Sequence, residues 1–120
     1  MKKILASLIA ASALSFSANA ANILYFNDDV IGTDSMQNAL DALAGTHTTT
    51  NAADSDQFAT LLGGGGFDLA ILFIQNYSAS SYTSAINALD IFTEAGGKGI
   101  YTDWSTDNTF ASLFGVTWIG

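Results

Sequence analysis

Polar side chains with the chemistry to bind a cation or a sugar follow three of the predicted strands, at the point where each strand ends. They are, in chain order, Asp28, Asp29, Asn76, Tyr77, Asp103, Trp104 and Ser105. Carboxylate and amide oxygens are the ligands of hard cations such as Ca²⁺ and Mg²⁺, and an aromatic ring can stack on a sugar. The sequence therefore predicts a ligand-binding site formed by these residues, with Asp28, Asp29 and Asp103 as its metal ligands if it binds a cation.

The same residue types also occur at strand ends for local reasons. Asp, Asn and Ser side chains cap helices and close turns, so a structural role is the alternative for every residue of the predicted site. Two further patterns are weaker. His47 is the only histidine and lies in a threonine-rich segment, which favours a surface histidine over a Ser-His-Asp triad. The glycines at 63–66 precede a strand and lack a GK[ST] ending, which indicates a connection and not a phosphate loop.

The elements that must position the site alternate between strands and helices. The segment FDLAILFIQN at 67–76 contains six consecutive apolar residues, which is typical of a strand buried on both faces of a parallel sheet. Other strands are predicted at 22–26, 46–51, 99–103 and 116–119. This alternation predicts an α/β fold, a three-layer sandwich with a flavodoxin-like parallel sheet in the strand order 2-1-3-4. In that order the ends of strands 1, 3 and 4 lie at one edge of the sheet.

Three of the predicted helices have recognisable ends. Ser35 is predicted to cap the first helix, which Gly45 ends, and Asp54 with Gln57 three residues later resembles a capping box for the second. The third is predicted to begin at one of the two serines at 80 and 81. A short fourth helix is predicted at 109–114, with Phe110 and Leu113 facing inward.

The first twenty residues have the pattern of a bacterial signal peptide. A basic pair at positions 2 and 3 precedes an apolar run at 4–13 and a small-x-small motif at 18–20. The run is too short for a membrane span, which needs roughly 20 apolar residues. We therefore expect an exported protein, periplasmic or extracellular, whose mature part is a single domain at 21–120 without a membrane anchor.

The composition of the mature part limits its partners. Its only basic residue is Lys98, and it contains eleven carboxyl side chains, so its formal net charge is −10. Nucleic acids and anionic lipids bind to basic patches, so neither is an expected partner. The chain has no cysteine, which excludes disulfides and thiolate chemistry. A small molecule or another protein remains as the expected partner, with no cofactor apart from the Ca²⁺ or Mg²⁺ considered above.

Several glycine turns occur in order along 92–119. An Ala-Gly-Gly turn at 95–97 leads into a Gly-Lys-Gly-Ile strand start at 97–100, a sharp elbow follows near 103–105, and Leu-Phe-Gly-Val closes the segment at 113–116. This arrangement resembles the class I glutamine amidotransferase-like superfamily, in particular its ThuA-like (trehalose-utilisation-like) and related exported branches. The resemblance implies an α/β domain with its site at the elbow.

The departures from that superfamily decide the expected function. Catalytic members carry a cysteine at the elbow, whereas here Trp104 stands in about that place with Ser105 next to it, and no His-Glu pair follows. Amidotransferase activity is therefore excluded. We expect an exported, non-catalytic domain that binds a small ligand or a protein partner at the carboxyl edge of its sheet.

Two alternatives to a binding domain remain open from the sequence. One is a cation-assisted hydrolase that uses Asp28, Asp29 and Asp103. The other is a fragment of a larger exported protein, since the chain stops directly after a strand-like segment and the domain at 21–120 is then incomplete.

Overall fold

The computed structural model of the chain describes residues 20–30, 32–103 and 108–116. Within these residues four strands form one parallel sheet in the order 2-1-3-4. The strands are β1 (Asn22–Asn27), β2 (Thr48–Asn51), β3 (Leu69–Ile74) and β4 (Lys98–Asp103). The sheet confirms the predicted flavodoxin-like α/β fold and its strand order.

Helices connect the strands and cover both faces of the sheet, as the crossovers of a parallel sheet require. They are α1 (Ser35–Ala42), α2 (Ser55–Gly64) and α3 (Thr83–Glu94), with a 3₁₀ turn at Ala79–Tyr82 before α3, and a short α4 (Asn108–Ala111) that continues as a 3₁₀ turn at Ser112–Phe114. Among the described helices, none combines the length and apolar character needed to cross a bilayer.

The central strand is shorter than the segment predicted from the sequence. The prediction was 67–76, whereas β3 covers only Leu69–Ile74, because the chain leaves the sheet as soon as the apolar run ends. Three predictions concern residues outside the described part of the chain: the leader at 1–19, the elbow residues Trp104 and Ser105, and positions 117–119 of the last predicted strand. The first position of that strand, Val116, is described and lies in no strand.

One face of the sheet packs against α2 and α3, and we call it the two-helix face. Alternate residues of β1 and β3 point to this face because side chains alternate along a strand. They meet Phe58 and Leu62 of α2 and Ile86 and Leu89 of α3. Gly99 of β4 lies on the same side, where a Cβ atom would come within 2.8 Å of the Thr93 side chain on α3. A larger residue at this position would force the Thr93 side chain to move, so the close approach of α3 to β4 favours glycine here.

The opposite face, which we call the one-helix face, packs against α1. Ile23 and Tyr25 of β1 and Ile71 of β3 form a small core with Leu40 of α1. At the edge of the sheet, Ile100 of β4 is 41% exposed. Its neighbours in β4, Gly99 and Tyr101, belong to the two-helix face, so Ile100 itself points to the one-helix face.

The start of α1 differs from the prediction. Asp34, and not Ser35, is the cap: its backbone is extended and its carboxylate accepts a hydrogen bond from the Gln37 N–H at 2.8 Å. Ser35 is the first residue of the helix. The sequence pattern could not separate the two because both residue types cap helices and they are adjacent.

The other helix predictions give a mixed result. The cap of α2 is confirmed, since the Asp54 carboxylate accepts from the Gln57 N–H at 2.7 Å. The prediction that Leu113 faces inward is wrong, because its side chain is 41% exposed. The segment that contains it is a 3₁₀ turn, which rotates successive side chains by more than an α-helix does.

Candidate functional site

A cavity lies at the carboxyl edge of the sheet, where β1 and β3 are neighbours. From β1 the chain crosses to β2 on one side, and it later enters β3 on the other side. Such a reversal of strand order leaves a crevice, which is the usual ligand site of open α/β sheets. The cavity here measures about 170 Å³. Its lining residues are Asn27, Val30, Thr33, Asp34, Ser35, Met36, Phe73 and Gln75.

The lining comes from the end of β1, the loop after it, the first turn of α1 and the end of β3. Gly32 in this loop has a φ of +87°, a conformation that glycine adopts without strain. Val30, Met36 and Phe73 supply apolar surface. The remaining lining residues supply hydroxyl, amide and carboxylate groups, so the cavity has both a polar and an apolar side.

Asp34 is the charged group of the cavity, and three groups donate hydrogen bonds to it. The Tyr25 hydroxyl lies 2.8 and 3.0 Å from its two carboxylate oxygens. The Gln37 N–H lies 2.8 Å away and the Asn27 amide nitrogen 3.4 Å away. Tyr25 is only 3% exposed, and its ring meets that of Phe73 edge to face at a centroid distance of 5.9 Å. This buried tyrosine therefore holds the carboxylate in place from below.

These contacts set the protonation of the pair. Burial by itself raises the pKa of Asp34, but the hydrogen bonds from the Gln37 N–H, the Tyr25 hydroxyl and Asn27 outweigh it, and the pKa lies below its ordinary value of 3.8. Burial, with the hydrogen bond to Asp34 next, raises the pKa of the Tyr25 phenol. At neutral pH the cavity wall thus carries one carboxylate held by a neutral phenol.

Asp28 uses its carboxylate to join two parts of the backbone. It accepts hydrogen bonds from the N–H groups of Gln75, Asn76 and Tyr77 at 2.7, 3.1 and 3.1 Å. The end of β1 is thereby tied to the turn that follows β3. Three backbone donors occupy most of the acceptor capacity of a carboxylate, so Asp28 has the turn-forming role that was the alternative to ligand binding.

An aromatic pair lies beside this turn. The Tyr77 ring is 55% exposed and meets the Tyr82 ring at a centroid distance of 6.4 Å. Burial, followed by the charge of Asp28, raises the pKa of the Tyr82 phenol. Tyr77 is therefore a largely solvent-exposed ring, and its stacking on a sugar stays a prediction.

The structure places the other predicted site residues as follows. Asp29 continues the β1 end, where its N–H lies 3.4 Å from the Asn27 side-chain oxygen. Asp103 ends β4, and its carboxylate accepts a hydrogen bond from the Tyr101 hydroxyl at 3.0 Å. Trp104 and Ser105 lie outside the described residues. The predicted site residues that the structure describes thus lie at the carboxyl edge of the sheet, and their role in binding stays a prediction.

The part of the chain that the structure describes contains no cluster of side chains that could act together as metal ligands. No three His, Asp or Glu side chains there are placed to hold a metal ion together. Asp28, Asp29 and Asp103 all lie in that part. The Ca²⁺ or Mg²⁺ hypothesis stays a prediction, without a three-carboxylate cluster to carry it.

Sequence reasoning missed the residues between β1 and α1 that line the cavity, chiefly Thr33, Asp34 and Met36. The candidate residues were the polar ones directly after each strand, and the residues just before α1 were interpreted only as the start of that helix. A usable signal was present, because the first loop of a flavodoxin-like sheet borders the reversal of strand order and this loop contains a glycine and two polar residues directly before its helix.

No family model, no curated protein and no solved structure matches the chain. The resemblance to the glutamine amidotransferase-like superfamily stays a prediction, carried by the glycine turns at 95–97 and 113–116.

Proposed function

We propose that the domain at 21–120 is an exported, non-catalytic binding module that takes a small molecule in the cavity between the ends of β1 and β3. The observation that carries this proposal is the position of the cavity at the reversal of strand order, with polar groups that the fold itself does not use. Within the described residues, the hydroxyls of Thr33 and Ser35 and the side-chain amide of Gln75 form no hydrogen bond with the protein. Water or a ligand satisfies them.

The placement of the only imidazole supports binding without catalysis. His47 lies before β2, at the amino edge of the sheet, where its Nδ1 accepts a hydrogen bond from the Ala21 N–H at 3.1 Å. The cavity is at the opposite edge. Hydrolytic chemistry with a serine nucleophile needs a base within hydrogen-bond reach, and the histidine is not in reach of the Thr33 or Ser35 hydroxyls.

The start of the fold supports export. Cleavage after residue 20 removes the basic and apolar leader, and β1 begins at Asn22. The domain therefore loses no described strand or helix on processing. The amidotransferase-like superfamily, in a branch without its cysteine, is the ancestry that we propose on the glycine turns.

Amide NMR spectra of the full-length chain test the proposal. We would titrate a panel of small neutral, cationic and anionic compounds and follow the amide signals of 33–36 and of Gln75. The expected result is a saturable shift of these signals with at least one compound. Thr33→Tyr, which fills the cavity, should abolish the shift, and Thr48→Tyr, on the exposed start of β2, should not. Shifts that are equal in both variants would contradict the proposal.

A further inference from the structure

The charge of the cavity wall separates classes of ligand. Asp34 is ionised at neutral pH, because its pKa is lowered by its hydrogen bonds. The only basic residue of the mature part, Lys98, begins β4 at the opposite edge of the sheet. A phosphate or carboxylate in the cavity would face the negative charge of Asp34 with no basic side chain beside it to offset that charge. The site therefore disfavours anions, even though the first turn of α1 borders it.

The hydrogen bonding of Asp34 also disfavours cations. Three donors already lie against its two oxygens: the Gln37 N–H on one, the Asn27 amide on the other, and the Tyr25 hydroxyl, which is within hydrogen-bond distance of both. An ammonium group that leaves water needs acceptors to replace its hydration. Asp34 has little acceptor capacity left to supply them, so attraction by its charge is not matched by direct hydrogen bonds.

The groups that remain open are neutral and act as both donors and acceptors. They are the hydroxyls of Thr33 and Ser35 and the amide of Gln75, which line the same cavity as the apolar side chains of Met36 and Phe73. A polyhydroxylated molecule has the matching chemistry, because its hydroxyls donate and accept while its C–H surface is apolar. The cavity volume of about 170 Å³ equals on the order of five or six water molecules, which suits a short polyol or a single sugar ring.

We propose that the cavity selects small neutral polyols, including single sugar rings, and that Asp34 excludes anions from it. This inference rests on the proposed function, since it names the ligand class of the same site. Asp34 acts here as a specificity-determining residue, while the two hydroxyls and the amide make the contacts.

The experiment compares three probes on the full-length chain: myo-inositol, inorganic phosphate and methylammonium. Amide NMR signals of 33–36 and of Gln75 report binding. We expect saturable shifts with myo-inositol, and affinities for phosphate and methylammonium that are lower by at least about tenfold, as expected for one unfavourable charge or one unpaired ion.

Two pairs of variants test the residues. Asp34→Asn keeps the cap of α1, because asparagine is an equally good cap, and it should raise the affinity for phosphate by about tenfold or more. Asp54→Asn makes the same change at the cap of α2, away from the cavity, and should leave all three affinities unchanged. Ser35→Ala should weaken myo-inositol binding by roughly three- to tenfold, the effect of one hydrogen bond, whereas Ser55→Ala, the same position of α2, should not.

The outcomes distinguish the two proposals. If phosphate or methylammonium binds the unaltered cavity more tightly than myo-inositol, the ligand class is wrong and the binding module stands. If Asp34→Asn does not gain phosphate binding while its spectrum shows an intact fold, Asp34 does not exclude anions and that part of the inference fails. If no probe of any class shifts the cavity signals, the proposed function fails together with the ligand class.

Discussion

The two faces of the sheet differ in the size of the hydrophobic core that covers them. On the two-helix face, twelve buried residues from the sheet, from α2, α3 and α4 and from the 3₁₀ turn before α3 form one continuous core. On the one-helix face, the buried core has four residues, and Ile100 at the sheet edge remains 41% exposed. Most apolar area leaves water on the first face, so most hydrophobic stabilisation comes from there.

The cavity belongs to the thinner side. Two of its three apolar lining residues, Met36 and Phe73, pack against the small core under α1, and its carboxylate accepts a hydrogen bond from Tyr25 of that core. The larger core and the proposed binding cavity thus lie on different faces of one sheet. Substitutions on the two faces should therefore have different consequences, which can be measured.

The largest expected effect is on the two-helix face. Ile86 is fully buried between α3 and the sheet, and Ile86→Ala should lower the free energy of unfolding by about 3 kcal/mol through lost burial and a residual cavity. Ile91 lies on the same helix but is 66% exposed, so Ile91→Ala is the matched control and should cost less than about 1 kcal/mol. Urea denaturation measures both. Equal losses would remove the distinction between buried and exposed positions of α3.

A smaller loss of stability is expected at the carboxyl edge of the sheet, where Asp28 ties the end of β1 to the turn after β3. Asp28→Asn leaves one acceptor oxygen for the three N–H groups of 75–77, and the free energy of unfolding should fall by about 1 kcal/mol, the value of a typical net hydrogen bond. Asp29→Asn is the control, since no backbone N–H donates to its side chain among the described contacts. Faster hydrogen exchange at the amides of 75–77 should accompany the first variant. Unchanged exchange would show that Asp28 does not hold this turn.

On the thinner side, Asp34 should make stability depend on pH. Its pKa is 3.8 in the unfolded chain and lower in the fold, so its stabilising contribution is present above about pH 4 and is lost as the pH falls through the folded value. The difference in unfolding free energy between the parent protein and Asp34→Asn should therefore shrink as the pH is lowered from 6 to 3. Thermal unfolding at several pH values measures it, and parallel curves would contradict the assignment.

The smallest effect is expected at the exposed edge of the one-helix face. Ile100→Thr keeps a β-branched residue in β4 and removes little buried area, so the free energy of unfolding should change by less than about 0.5 kcal/mol. Ile71 lies on the same face but is only 2% exposed. The same substitution there, Ile71→Thr, should therefore lower the free energy of unfolding clearly more. A large loss at Ile100 would show that the one-helix face is covered more fully than its exposure indicates.

Much of the fold could be predicted from local patterns. The unbroken apolar run of β3 required burial on both faces, and the Asp54–Gln57 spacing marked the start of α2, as the 2.7 Å hydrogen bond confirms. Strand order followed from the alternation of strands and helices. The boundary errors, such as Ser35 in place of Asp34 at the cap of α1, arose where two adjacent residues have the same local propensity.

The site was predictable only in part. The sequence by itself determined that polar residues gather at one edge of a parallel sheet, that residues 21–120 are strongly acidic and that thiol chemistry is absent. Only the tertiary structure decided what two aspartates of one loop do. Asp28 accepts hydrogen bonds from backbone N–H groups 47 to 49 positions away. Asp34 accepts a hydrogen bond from Tyr25, whose ring is buried in the small core under α1. Neither environment is visible locally, because the partners meet only once β1, β3 and α1 have packed together.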